Sequence, residues 1–188
     1  MTDLRDLAVL VLISVISGFT LSFVHLGTKD KIAEARLEEL KAGLGNVMPF
    51  MQKTYEEVDF GYKGKDYMIY EVREDGELLG GAVKMVSPEG YSGDMTFLVG
   101  VNTIGEVTGI QILEQRETPG LGTKATNKAW WGQFLGKTLD NFSFRVKQDG
   151  GDVDAITAAT ITSRAVGEYV GKGLDVFKAF IKERGDHG

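Results

Sequence analysis

The sequence predicts an α+β protein, with a single N-terminal transmembrane helix, an amphipathic stalk helix and a largely antiparallel sheet domain with flanking helices. Three observations carry that prediction. Residues 7–26 (LAVLVLISVISGFTLSFVHL) contain no Asp, Glu, Lys or Arg, and about 20 apolar residues are enough to cross a bilayer. The middle of the chain strings together runs rich in aromatic and β-branched residues, separated by turn signals such as Asp75-Gly76, a pattern that suits hairpins. Towards the C-terminus Val166, Val170, Leu174, Phe177 and Ile181 recur at steps of three and four, which is one stripe of a helix.

Composition narrows the function classes. With 188 residues, the part beyond the apolar start is large enough for one core. A net charge of −6 and a pI near 5.0 lack the basic face that nucleic acid requires. The chain has no cysteine, which removes disulfides, iron–sulfur clusters, cysteinyl flavin and thiolate zinc sites together. His25 and His187 are its two histidines, one in the apolar segment and one at the extreme C-terminus, so no haem or metal site is expected. Redox work by this chain would need a borrowed organic cofactor.

Residues 1–28 form the anchor in this reading. A cleaved signal peptide is disfavoured, because the apolar core exceeds the usual length and no A-x-A-like site follows. A buried core helix is the weaker alternative. Arg5 and the amino terminus, beside Asp3 and Asp6, precede the span, whereas Lys29, Lys31, Arg36 and Lys41 follow it. Taken alone, that asymmetry would leave the large domain in the cytoplasm. Residues 29–50 then read as a stalk helix, with Ala33, Leu37, Leu40, Leu44 and Val47 on one stripe, Gly43 and Gly45 weakening its end and Pro49 closing it.

Residues 51–188 make the domain. Strands are expected at 66–73 and 78–86, joined at Asp75-Gly76, with Gly80-Gly81 marking a bulge or a close backbone approach. A further hairpin is expected from 90–102 and 106–113. In the following segment EQRETPGLGTK, Pro119-Gly120 suits the centre of a type II turn and Gly122 adds freedom, so main-chain N–H groups can approach a flat ligand edge. Ala129, Trp130, Trp131, Phe134 and Leu135 suggest a short helix buried on its apolar face, and 142–146 alternates like a strand. The stretch 154–163, DAITAATITS, gathers hydroxyls at the start of the last helix. Unpaired amides and the positive pole of the helix dipole favour an anion there, a phosphate above all.

Two of these stretches resemble one family. Asp154, Thr157, Ala159 and Thr160 in D-x-x-T-A-A-T resemble the flavinylation motif D-x-x-(S/T)-G-A-(S/T) of the FMN-binding domain in the G subunit of Rnf complexes and the C subunit of the sodium-pumping NADH:quinone reductase. The run ETPGLG, from Glu117 through Thr118, Gly120 and Leu121 to Gly122, resembles that family's second signature, in the same order and at similar separation. Residues 28–36 and the GY-x-G stretch at 90–93 are also similar.

The resemblance implies one covalent FMN per chain, its phosphate esterified to Thr160, with Thr162 and Ser163 as fallback hydroxyls. Asp154, Thr157, Ala158 and Ala159 complete that motif, Glu117, Thr118, Gly120, Leu121 and Gly122 would contact the flavin, and Tyr91 would cover the ring. The loop's own charges add that a cation such as Lys124 or Arg116 near the flavin edge would raise its potential. The chain departs from the motif at Ala158, where the family has glycine; a left-handed backbone there would cost alanine about 1 kcal/mol. A threonine hydroxyl is a poor nucleophile and no His or Cys is near it in sequence, so a separate flavin transferase is an expected partner, with Asp154 and Thr157 as its recognition elements.

The implied function is that of an electron-relay subunit in a membrane-bound ion-translocating ferredoxin:NAD oxidoreductase. No dinucleotide-binding fingerprint is present, so other membrane and redox subunits must supply donor and acceptor sites. The family places the domain on the outer side of the cytoplasmic membrane, against the charge asymmetry, and long domains translocate largely regardless of charge. The lipid bilayer is then a partner, and Ser14, Ser17 and Gly18 would let neighbouring helices approach. The alternatives are the C subunit of a sodium-pumping NADH:quinone reductase, which usually runs longer, a membrane-anchored module binding its ligand noncovalently, and an assembly subunit without flavin.

Overall fold

The computed structural model describes residues 4–51 and 54–185. Asp3 and His187 lie outside the described residues. The chain divides into two units, Met1–Leu40 and Lys41–Gly188.

The first helix, α1 (Leu4–Val47), runs without interruption. In the first unit its most apolar 18-residue window has a mean hydropathy of 2.5 and none of it is buried. The helix is therefore long and apolar enough to cross a membrane. Three of its hydroxyls suit that solvent, since Ser14, Thr20 and Thr28 donate to the carbonyls of Leu10, Ile16 and Val24 one turn back. Anchor and stalk are one helix, with no break near residue 28.

In the second unit the end of α1 lies on a five-stranded antiparallel sheet. Its strands, in spatial as in chain order, are β1 (Glu56–Tyr62), β2 (Lys65–Glu74), β3 (Glu77–Gly90), β4 (Gly93–Asn102) and β5 (Val107–Glu114). Gly43 and Gly45 sit inside α1 and do not end it. Space explains Gly43, where a Cβ would stand 3.0 Å from Gln111 and 3.2 Å from Leu98. The cross-strand pair Gly100 and Gly109 goes further, because a Cβ on Gly100 would reach within 2.1 Å of the Val47 carbonyl oxygen. Thr108 donates its hydroxyl to that same carbonyl. Leu44 and Val47, the last two residues of the predicted stripe, are fully buried.

The other face of the sheet is covered by the long helix α3 (Thr160–Gly185). Val166, Val170, Leu174 and Phe177 meet Ile69, Val83, Met85, Phe97 and Val99 in the core. Gly80-Gly81 serves both expected purposes. The register of β2 on β3 shifts between Val72 and Arg73 opposite it, and a Cβ on Gly81 would meet the Phe177 ring at 2.7 Å.

Three elements differ from the sequence reading. β1 is an additional strand that pairs along β2 from Glu56↔Glu71 to Tyr62↔Lys65. β3 continues past residue 86 to Gly90, with Pro88 in the irregular stretch between the pairs Ser87↔Met95 and Gly90↔Gly93, where a missing N–H is tolerated. Residues 142–146 are not a strand, and their one ladder contact is the isolated bridge Val146↔Val153. Their alternation reflects ring packing, since Phe142 and Phe144 lie 6.1 and 6.0 Å from Phe134, and Phe144 fills the space over Gly167 and Gly171 of α3. The short helix of 129–135 is present as α2 (Lys128–Trp131) followed by a 3-10 turn, Gly132–Phe134.

Candidate functional site

Thr160 is the first residue of α3. The Ser163 amide is the first to bond back, to the Ala159 carbonyl at 3.0 Å, so helix geometry leaves the amides of Thr160, Ile161 and Thr162 without intrahelical acceptors. These amides and the dipole of a 26-residue helix face a cavity of about 440 Å³ lined by residues 158–162, Glu117, Thr118, Leu121, Gly122 and Tyr91. Residues of the two signature stretches, more than 30 positions apart in the chain, thus line one cavity.

The hydroxyls of the motif are not equivalent. Ser163 is buried, accepts from the Ile156 amide at 2.8 Å and donates to the Ala159 carbonyl at 2.9 Å. Thr162, also buried, donates to Glu117 Oε2 at 2.6 Å. The Thr160 hydroxyl has no hydrogen-bond partner among the described residues and lines the cavity. The two fallback hydroxyls are therefore spent on holding the first turn of α3, and Thr160 remains open to chemistry.

Glu117, expected at the site from the second signature, has partners that the signature does not announce. It is only 5% exposed, and besides Thr162 it accepts the Ser92 amide on Oε1 at 3.1 Å. The carboxylate thereby ties the β3–β4 turn, its own loop and α3 together. A Cβ on Gly122 would lie 2.5 Å from Glu117 Oε2 and 2.9 Å from Thr162 Oγ1. The second glycine of ETPGLG is there to make room for this pair. Ahead of it the chain turns as expected, with the Leu121 amide on the Thr118 carbonyl at 3.2 Å and Gly120 at φ +76°, as position i+2 of a type II turn needs. Sequence offered no sign of the Glu117–Thr162 bond, whose partners are separated by 45 positions.

Ala158, at the glycine position of the motif, has φ +62°. This is the left-handed conformation in which Cβ crowds the following carbonyl. Asp154, Thr157, Gly120 and Lys124 do not line the cavity, and Arg116 and Lys124 are exposed. Asp154 points outward with its side chain 70% exposed and paired to Lys147 at 2.7 Å. Its backbone is fixed from both sides: the N–H donates to Gln133 Oε1 at 2.7 Å, and the carbonyl accepts from Trp130 Nε1 at 2.7 Å. The burial expected of the apolar face of 129–135 holds only for Phe134; Trp130 and Trp131 are partly buried, and Trp130 serves to fix the Asp154 backbone. Further along α3, Arg164 grips Asp149 through Nε and a terminal nitrogen, and these bonds hold the Asp149 carboxyl below the usual carboxylate range.

The donor set fits FMN. Free amides at a helix start accept a phosphate, an unengaged hydroxyl stands among them, and Tyr91, Leu121 and Ile161 offer partly exposed apolar surface around the opening. The cavity volume lies within the range of about 300–1,000 Å³ usual for small-molecule sites. Among the described residues no cluster of His, Cys, Asp or Glu could hold a metal ion.

Fold and site together define an FMN-binding domain attached to an apolar N-terminal helix, and the model of the FMN-binding domain family matches residues 90–175. Relatives extend that match over nearly the whole chain. The chain is 34% identical to the G subunit of the ion-translocating oxidoreductase complex of Aliivibrio fischeri strain ES114, covering 93% of this chain and 90% of that one. It is 35% identical to the protein of the same name from Shewanella baltica, over 83% and 80%, and 34% identical to that of Salmonella typhimurium, over 80% and 78%. The chain belongs to the family of G subunits of ion-translocating oxidoreductase complexes, the Rnf type that its two signatures resemble.

Proposed function

We propose that this chain carries one FMN, joined through its phosphate to Thr160, and relays electrons within a membrane-bound ion-translocating ferredoxin:NAD oxidoreductase. The observation that carries the reading is the inequality of the hydroxyls: Thr162 and Ser163 are engaged, whereas Thr160 opens α3 at the cavity. When bound, FMN supplies the electron-transfer chemistry. The chain's own part is to hold and orient it. The amides of 160–162 and the helix dipole balance the phosphate charge, and Tyr91, Leu121 and Ile161 limit the access of water.

Neither His nor Cys lines the cavity, and its one carboxylate, Glu117, is engaged by Thr162 and Ser92, so no free base is at hand to activate the Thr160 hydroxyl. This supports loading by a separate flavin transferase, and the rigidly held, outward-facing Asp154, with exposed Thr157 beside it, suits recognition by that enzyme. The apolar part of α1 supports a bilayer as partner, and the other membrane and redox subunits of the complex supply electron donor and acceptor. The domain is assigned to the outer side of the membrane, where the family's flavin is attached. A C-terminal phosphatase fusion, active only outside the cytoplasm, should be active; a cytoplasmic reporter active in its place would refute that orientation.

The attachment is tested by co-expressing the chain with a flavin transferase and reading flavin fluorescence on a denaturing gel. Wild type should give a fluorescent band and Thr160→Val a dark band of equal protein intensity. Equal fluorescence from both would move the attachment elsewhere.

A further inference from the structure

We infer that the Glu117 carboxylate is the charge that sets the reduction potential of the bound flavin, and that it holds that potential low. The inference rests on FMN occupying the cavity beside Thr160. Within the lining, Glu117 is the one carboxylate and no Lys, Arg or His is present. It is 5% exposed, so water screens it poorly. Among the described residues it has no ion-pair partner; its two oxygens are met by a hydroxyl and an amide, Thr162 Oγ1 at 2.6 Å and Ser92 N at 3.1 Å. A buried charge kept by hydrogen bonds in place of a counter-charge is costly for folding. Here the fold goes out of its way to keep it: Gly122 and Gly90 both lack the Cβ that would press on its oxygens, at 2.5 and 2.9 Å.

The sign of the effect follows from charge alone. Uptake of two electrons and one proton from the neutral oxidised ring leaves it with one negative charge, near N1 and C2=O. A fixed, buried negative charge in the wall of the same cavity disfavours that product, whereas a cation would favour it. The cations weighed from sequence, Arg116 and Lys124, are solvent-exposed and outside the lining. The one charged side chain in the lining is therefore of the opposite sign, and the site is built to make its flavin a stronger reductant.

The test is an optical redox titration of the full-length, flavin-loaded chain in detergent. Glu117→Gln keeps the size, and the Thr162 hydroxyl can turn from donor to acceptor to satisfy the new amide. The midpoint potential should rise in Glu117→Gln, stay on the wild-type side in Glu117→Asp, and keep its difference from wild type in high salt. Thr162→Val, which removes a donor and keeps the charge, should shift the potential downward. A loosened pocket would move both variants the same way, so opposite signs separate field from structure, and Thr162→Val serves if Glu117→Gln does not fold. An unchanged or lowered potential in loaded Glu117→Gln, or a raised one in Thr162→Val, overturns the inference alone. A wild-type chain that takes up no flavin overturns it together with the function on which it rests.

Discussion

Ala158 holds a backbone angle, φ +62°, that glycine adopts freely and alanine does not. The residue is exposed and its side chain is small, so relief of backbone strain should dominate any substitution. Ala158→Gly is expected to stabilise the domain by about 1 kcal/mol, raising the melting temperature by roughly 2–4 °C; thermal unfolding by circular dichroism measures it. An unchanged or lowered melting temperature would mean that the strain is absent. The cost at this position was legible in the sequence, because the motif itself marks a glycine there. The role of Glu117 was not. ETPGLG announces a turn through Pro119 and Gly120, but nothing local reveals that its first side chain reaches Thr162 on another element. Likewise the three hydroxyls at 160, 162 and 163 look alike in one dimension, and only the first turn of α3 sorts them.

Among the elements, periodic ones were read well and tertiary ones poorly. α3 and the hairpins between β2 and β5 follow from spacing and turn residues. β1 escaped because EEVDFGY carries only a weak alternation, with one buried residue, Phe60; its strand character comes from pairing with β2. Residues 142–146 erred the other way, since two rings packed on Phe134, Phe142 edge-on and Phe144 stacked, mimic a two-residue period. Of the stripe on α1, Leu44 and Val47 are buried whereas Ala33 and Leu37 are exposed, and the spacing alone did not show why the sheet accepts the last two. Two glycines facing each other on β4 and β5 leave room for backbone, not side chain. Gly109→Ala would bring its Cβ to 2.8 Å from Val47 Cα, and no flexible group there can yield. It should destabilise the second unit by about 1–3 kcal/mol, seen as a lower urea midpoint; a neutral result would show that the end of α1 does not lie on the sheet so closely.

At the scale of the whole molecule, the acidic chain is held partly by carboxylates that must stay charged. Bonds from Arg164 lower the Asp149 carboxyl, and bonds from Lys63 lower that of Asp175. Because both folded values lie below the unfolded aspartate value near 3.9, their contribution is complete above that value and is lost as pH falls through the folded ones. The urea midpoint should therefore hold between about pH 7 and 5 and decline below about pH 4, with a shallower acid decline in an Asp149→Asn, Asp175→Asn double variant. An equally steep decline in that variant would place the acid-labile groups elsewhere.

The central claim, that Thr160 bears the flavin, is tested most directly by intact mass and peptide mapping of the chain co-expressed with a flavin transferase. The account predicts one added FMN less water, located on Thr160 and absent from Thr160→Val. An unmodified chain, or the same added mass on Thr162 or Ser163, would contradict it.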